Sequence, residues 1–236
     1  CLGELPRLFP PRLTHCMSIR TVLFDLDGTL LDTAPDLADA LNAVLVENRR
    51  EPLPYEEIRG VVSHGGMALI RLGFGISPDD PDIEPLRQRL LDIYLANIAN
   101  RTRPFPGITE LLDELERRGL NWGVVTNKPG WLTDPLLRQL DLYDRAACVV
   151  SGDTLSERKP HPAPMLHACS RTGSLPAQCV YVGDAERDIE AGRNARMHTL
   201  VALFGYFMAD DRPLEWQADG SISQPLDLLE WLDTMH

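Results

Sequence analysis

Apolar residues follow two patterns along this chain. Short runs rich in Val, Leu, Ile and Phe alternate with longer stretches in which apolar positions recur every three or four residues. The first pattern fits strands buried on both faces and the second fits amphipathic helices. Residues 21–25 form a run of the first kind that ends in Asp25, and Asp27-Gly28-Thr29 breaks the chain just after it. Further strands are predicted at 122–126, 148–150, 179–182 and 199–203. Helical spacing over 108–118, 131–140, 163–172, 189–195 and 226–232 puts helices between and after these strands, and Gly119 ends the first of them. Alternating strands and helices with short connections imply an α/β fold with a doubly wound parallel sheet. In such a sheet, ligands bind at the carboxyl ends of the strands.

From residue 34 to about 100 the pattern is helical throughout. Leu37, Leu41, Val44 and Leu45 share one face, as do Leu86, Leu90, Ile93, Tyr94 and Ile98. Pro52, Pro54, His64-Gly65-Gly66 and the prolines at 78 and 81 divide the stretch into several short helices. The expected organisation is therefore a Rossmann-like core of 17–33 and 104–236, with a small all-helical domain of 34–103 inserted after the first strand. Residues 103–107 form a stiff linker back to the core. Residues 1–16 are rich in Pro and Arg and lack the apolar segment of a signal peptide. They read as a disordered or non-native extension with Met17 as the natural start; an acylated Cys1 is the alternative.

The net charge of −12 disfavours nucleic acid and anionic membrane as partners. It also repels phosphorylated ligands, so a phosphate site on this chain has to be a local positive pocket. No apolar run reaches the ~20 residues of a membrane span. The five cysteines are odd in number and contain no C-x-x-C pair, which points to reduced thiols in a cytoplasmic protein. Among 23 basic residues only Lys128 and Lys159 are lysines.

Chemistry concentrates at the predicted strand ends. Asp25 and Asp27 lie two residues apart, so they project into one region. At ~4 Å and an effective dielectric near 20 their repulsion costs about 4 kcal/mol, which a bound divalent cation removes. As a plain turn, Asp27-Gly28 needs no ligand at all. Thr126-Asn127-Lys128-Pro129 offers a hydroxyl and main-chain N–H groups to an anion, or is a simple strand exit before a helix. Lys159 precedes a Pro-rich segment, where a solvated surface lysine is the usual outcome. Gly183-Asp184 with Asp188 fits an acidic helix start.

Taken together, these four segments resemble the haloacid dehalogenase-like hydrolases. The string from Asp25 to Asp32 is similar to their first motif, D-x-D-G-T-L-x-D, and the other three segments follow in motif order. The resemblance spans residue 21 to about residue 232. It implies a Mg²⁺-dependent phosphatase acting on a small phosphorylated metabolite. Asp25 is the implied nucleophile and Asp27 the acid and base. Thr126, Asn127 and Lys159 are the implied phosphate cradle. Asp25, the main-chain carbonyl of Asp27 and Asp184 are the implied metal ligands, and Asp188 holds a metal-bound water or orients Lys159.

In this family a helical insert after the first motif resembles a cap that closes over the site. Ser63-His64-Gly65-Gly66 is the expected loop reaching the substrate, or else only a turn opening a helix over 67–72. Arg71, Arg101 and Arg103 are the candidate holders of a second charged group on the substrate. Asp32 to Leu37, the segment around Thr126 and the tail from Gly205 to Trp216 are similar to bacterial phosphoglycolate phosphatases, and equally to relatives that act on N-acetylmuramic acid 6-phosphate. 2-Phosphoglycolate is the first expected substrate, with that or another sugar phosphate as the alternative. A phosphosugar mutase shares the core residues, and a silent regulatory module would lack one of Asp25, Asp27, Lys159 or Asp184. A monomer or homodimer is expected.

Overall fold

The computed structural model describes residues 18–235. The expectation for residues 1–16 lies outside them. Six parallel strands form one sheet in the order β5-β4-β1-β6-β7-β8. They are β1 (Thr21–Phe24), β4 (Asn121–Val125), β5 (Cys148–Val150), β6 (Cys179–Gly183), β7 (His198–Ala202) and β8 (Gly220–Ile222). The chain leaves β1 toward β4 and β5, then returns to lay β6, β7 and β8 on the other side. The order therefore reverses around β1, and a crevice opens there at the strand ends.

Side chains alternate across the sheet. Val22, Phe24, Val124, Val180 and Val182 pack on one face with α5 (Ile108–Arg117), α6 (Gly130–Gln139) and α9 (Asp227–Asp233). Leu23, Val125, Tyr181 and Val150 pack on the other with α7 (Ala163–Thr172) and α8 (Glu186–Asn194). Both faces are dry, which is why these strands read as continuous apolar runs. Cys148, Cys169 and Cys179 lie in this second layer as free, buried thiols.

The insert holds α1 (Ala34–Glu47), α2 (Tyr55–Arg59), α3 (Gly65–Phe74) and α4 (Ile83–Ala96). Leu37, Leu41, Val44 and Leu45 of α1 are buried, and α1 packs on α3 and α4. Two features depart from the expectations. The segment 103–107 is more than a linker: β3 (Arg103–Pro104) pairs antiparallel with β2 (Leu31–Asp32), so the two crossings into the insert are tied together. Helix α3 also begins earlier than residue 67, with Gly65 and Gly66 inside its first turn.

Candidate active site

Asp25 follows β1, Thr126 follows β4, Asp184 follows β6, and Lys159 lies in the connection between β5 and α7. All four are buried. The Asp25 N–H donates to the Val182 carbonyl at 2.9 Å, which continues the ladder one residue past the strand and fixes the carboxylate over the sheet end. Lys159 Nζ sits 2.8 Å from Asp25 Oδ1 and 2.8 Å from Asp188 Oδ1. It also donates to the Tyr181 hydroxyl at 2.8 Å, which in turn donates to the Val125 carbonyl at 2.7 Å. Three acceptors thus hold the ammonium in one place. Asp188 Oδ2 accepts the Ala185 N–H at 3.1 Å, so both of its oxygens are engaged. Asp184 Oδ2 accepts the Ser63 hydroxyl at 2.8 Å and the Tyr206 N–H at 2.9 Å.

Asp25, Asp184 and Asp188 bring carboxylate oxygens within 4.8 Å of one another. Three buried acids face one ammonium and the Arg187 guanidinium, and the excess of negative charge shows in Asp25 and Asp184. Burial, and then the charges of Asp25 and Asp188, push Asp184 up to about 8. Burial and Asp188 likewise raise Asp25, against the pull of Lys159 and Arg187. A donor set of hard oxygens with uncompensated negative charge fits a divalent cation such as Mg²⁺. Asp25 and Asp184 offer it carboxylate oxygens at the strand ends, while both oxygens of Asp188 are engaged by Lys159 and Ala185.

Asp27 points away from this cluster. Its Oδ1 accepts the Thr33 hydroxyl at 2.6 Å and Lys128 Nζ at 2.9 Å. Among the described residues none donates to its Oδ2. Lys128 is almost fully enclosed. Burial works against its charge, but Asp27 and Tyr94 outweigh burial and hold it above the usual lysine range. Thr126 Oγ1 accepts the Lys128 N–H at 3.1 Å. Asn127 exchanges hydrogen bonds with the Lys159 main chain, 3.0 Å each way, so its side chain holds the lysine loop rather than facing an anion. Among the described residues the N–H groups of Leu26, Asp27 and Asn127, in the loops that follow β1 and β4, have no acceptor and are free to bind an anion.

A cavity of about 680 Å³ opens above these residues, walled on the far side by the insert. Ser63 and Arg187 join the two halves. Ser63 bonds Asp184, and the Arg187 guanidinium donates to the Ser63 carbonyl at 2.5 Å. The loop at Ser63 therefore does reach the site. Arg71, Arg101 and Arg103 do not line the cavity. Arg101 pairs with Asp39 at 3.0 Å, and Arg103 donates to the carbonyls of Ala99 and Thr102 near the crossings. The basic groups at the cavity are instead Lys128, Arg87, Arg158 and Arg187. The link from Lys128 to Asp27 and the roles of Arg187 and Tyr206 escaped sequence reasoning. Only the scarcity of lysine hinted at the first.

A sequence profile of the haloacid dehalogenase-like hydrolases matches residues 22–202. This chain is a haloacid dehalogenase-like hydrolase. The hydrolase is 42% identical over 217 residues to an N-acetylmuramic acid 6-phosphate phosphatase of Pseudomonas aeruginosa, covering 92% of this chain and 96% of the relative. It is 46% identical over 206 residues to a phosphoglycolate phosphatase of Xylella fastidiosa, covering 87% and 90%. Among solved structures, a predicted phosphoglycolate phosphatase from Haemophilus somnus superposes with a TM-score of 0.80 at 26% identity, covering 90% of this chain and 97% of that one. With relatives of this kind, the haloacid dehalogenase-like hydrolase is a phosphoric monoester hydrolase. Among the described residues no helix is long and apolar enough to cross a membrane.

Proposed function

We propose that this hydrolase removes phosphate from 2-phosphoglycolate through an aspartyl-phosphate on Asp25, with Mg²⁺ as cofactor, in the cytoplasm. The observation that carries this reading is the placement of Asp25. Its carboxylate is fixed 2.8 Å from the Lys159 ammonium, and the neighbouring N–H groups of Leu26 and Asp27 are unpaired among the described residues. A carboxylate cannot approach a phosphate dianion unless cationic and N–H groups offset the charge of both.

In the first step Asp25 attacks phosphorus in line, the bond from phosphorus to the ester oxygen breaks, and Asp27 gives its proton to the departing oxygen. In the second step Asp27 takes a proton from water, which attacks the same phosphorus; phosphate leaves and the Asp25 carboxylate returns. Oδ2 is the Asp27 oxygen for both transfers, because Oδ1 is held by Thr33 and Lys128. Thr126 and the N–H groups hold the phosphoryl oxygens, and Asn127 keeps Lys159 in register. A cation held by Asp25, Asp184 and the Asp27 carbonyl would lower the charge on nucleophile and phosphoryl group. The insert acts as a cap that excludes water.

The test is to replace Asp25 by Asn. Turnover of 2-phosphoglycolate should fall by at least ~10³-fold while thermal unfolding stays within a few degrees of wild type. A near-normal rate would refute the nucleophile. A second reading has one observation in its favour: a cavity of about 680 Å³ with Trp131 on its wall is roomy for a two-carbon acid and suits a sugar 6-phosphate.

A further inference from the structure

The hydrolase reading gives Tyr94 on the cavity wall no task, and uses Lys128 only to hold Asp27. Tyr94, on α4 of the insert, is 0% exposed, and its hydroxyl has only the Lys128 ammonium beside it, a donor in poor hydrogen-bonding geometry, so its own proton finds no acceptor. A buried hydroxyl left in that state costs on the order of 1–3 kcal/mol. Lys128 Nζ lies over the same ring, 4.5 Å from its centroid. Both residues line the cavity, and together they close its wall where insert meets core. Among the described residues, the only ion pair of this ammonium is the one to Asp27 Oδ1 at 2.9 Å.

Their position relative to Asp27 decides what they can touch. Asp27 Oδ2 has to reach the ester oxygen to protonate it. Lys128 on Oδ1 then lies within roughly 7 Å of that oxygen, given ordinary hydrogen-bond lengths. A substituent on the first carbon of the leaving alcohol would come to the ammonium, with the phenol directly behind it. A CH₂ there leaves Tyr94 unsatisfied, and a hydroxyl gives the phenol a neutral acceptor but brings no charge to the ammonium. A carboxylate accepts from both. Burial lifts the Tyr94 phenol to about 12, so it keeps its proton and donates at neutral pH.

We propose that Lys128 and Tyr94 form the leaving-group subsite, and that they select phosphate esters of α-hydroxy acids by receiving the carboxylate next to the ester carbon. This rests on the reading of Asp27 as the proton donor to the leaving group. It replaces the three arginines expected from sequence with one lysine and one tyrosine. It also accounts for a carboxylate-bearing substrate on a chain whose insert contains no lysine.

The test compares kcat/KM for 2-phosphoglycolate and for 2-hydroxyethyl phosphate, a neutral probe of the same length, in Mg²⁺. Wild type should prefer the acid. K128M should lower both values, since Asp27 loses a partner, but should cut the preference by about 30-fold, mainly through KM for the acid. K128R should recover part of the preference. Y94F keeps the ring and the packing, and should cut the preference by about 3- to 10-fold. An unchanged preference in K128M and Y94F, or no preference in wild type, overturns the subsite. The D27N variant, run on both probes, checks the underlying reading separately: if it still hydrolyses 2-hydroxyethyl phosphate at the wild-type rate, the proton donor is wrong whatever the preference shows.

Discussion

Gly28 shows how tightly single residues are set around the acids. Its φ is +83°, and a Cβ there would land on the Asp184 carboxylate oxygen and 2.9 Å from the Tyr206 ring. Glycine is required for two reasons, the left-handed backbone and the missing side chain. G28A should cost about 1–2 kcal/mol of stability from the backbone alone. It should also displace Asp184 and weaken Mg²⁺ binding at least ~10-fold. Calorimetric titration of metal and a thermal melt check this; unaltered metal affinity would count against Asp184 as a ligand. At this scale the sequence was informative about residue type and weak on partners. Asp25, Lys159 and Asp184 stand where the motif order puts them. That the Asn127 side chain serves Lys159, and that Lys128 serves Asp27, depends on how loops after β4 and β5 meet, and no local pattern encodes such a meeting.

At the scale of elements, the informative contact is between the insert and α8. Arg187 is the second residue of α8 and donates to the Ser63 carbonyl, while the Ser63 hydroxyl bonds Asp184. Burial disfavours the Arg187 charge, but Asp188, Asp25 and Asp184 together hold it above its usual range. The same guanidinium therefore sits on the acid cluster and on the insert. Replacing it with Met should loosen the 62–66 segment, seen as at least ~10-fold faster amide hydrogen exchange there, and should raise KM. Unchanged exchange in that segment would mean that the helices of the insert hold it without help from the core. The strands with continuous apolar runs were legible because both of their faces are buried. β8, with the sequence Gly-Ser-Ile, and the two-residue ribbon of β2 and β3 were not, because their pairing comes from tertiary position and not from any alternation of their own.

At the scale of the whole molecule, the acid cluster ties stability to pH and metal. The folded Asp184 is raised from its ordinary 3.8 to about 8. The stabilisation from its bound proton is complete below the unfolded value and is lost as pH rises through the folded one. Protein stripped with EDTA should therefore unfold more easily at pH 8.5 than at pH 6, with a slope of up to ~1.4 kcal/mol per pH unit. Saturating Mg²⁺ should flatten that slope, because a cation takes the place of the proton. Melting temperatures in EDTA that do not change between the two pH values would remove the charge imbalance as the basis for metal binding. The sequence predicts a division into core and insert, since helical periodicity replaces strand runs between residues 34 and 100. The closeness of the two halves was not, because it rests on a few cross-links such as those of Ser63.

The chain's two lysines, both enclosed at the site with 6% and 1% of their side chains exposed, have a practical corollary. Every other positive side chain outside the histidines is a guanidinium, so amine-directed acylating reagents and cross-linkers find almost nothing on the outer surface. Reductive methylation would mark these two side chains only when the cavity opens. The extent of labelling at each, read by peptide mass, becomes a clock for how often the crevice admits solvent, and a bound phosphate analogue should slow it.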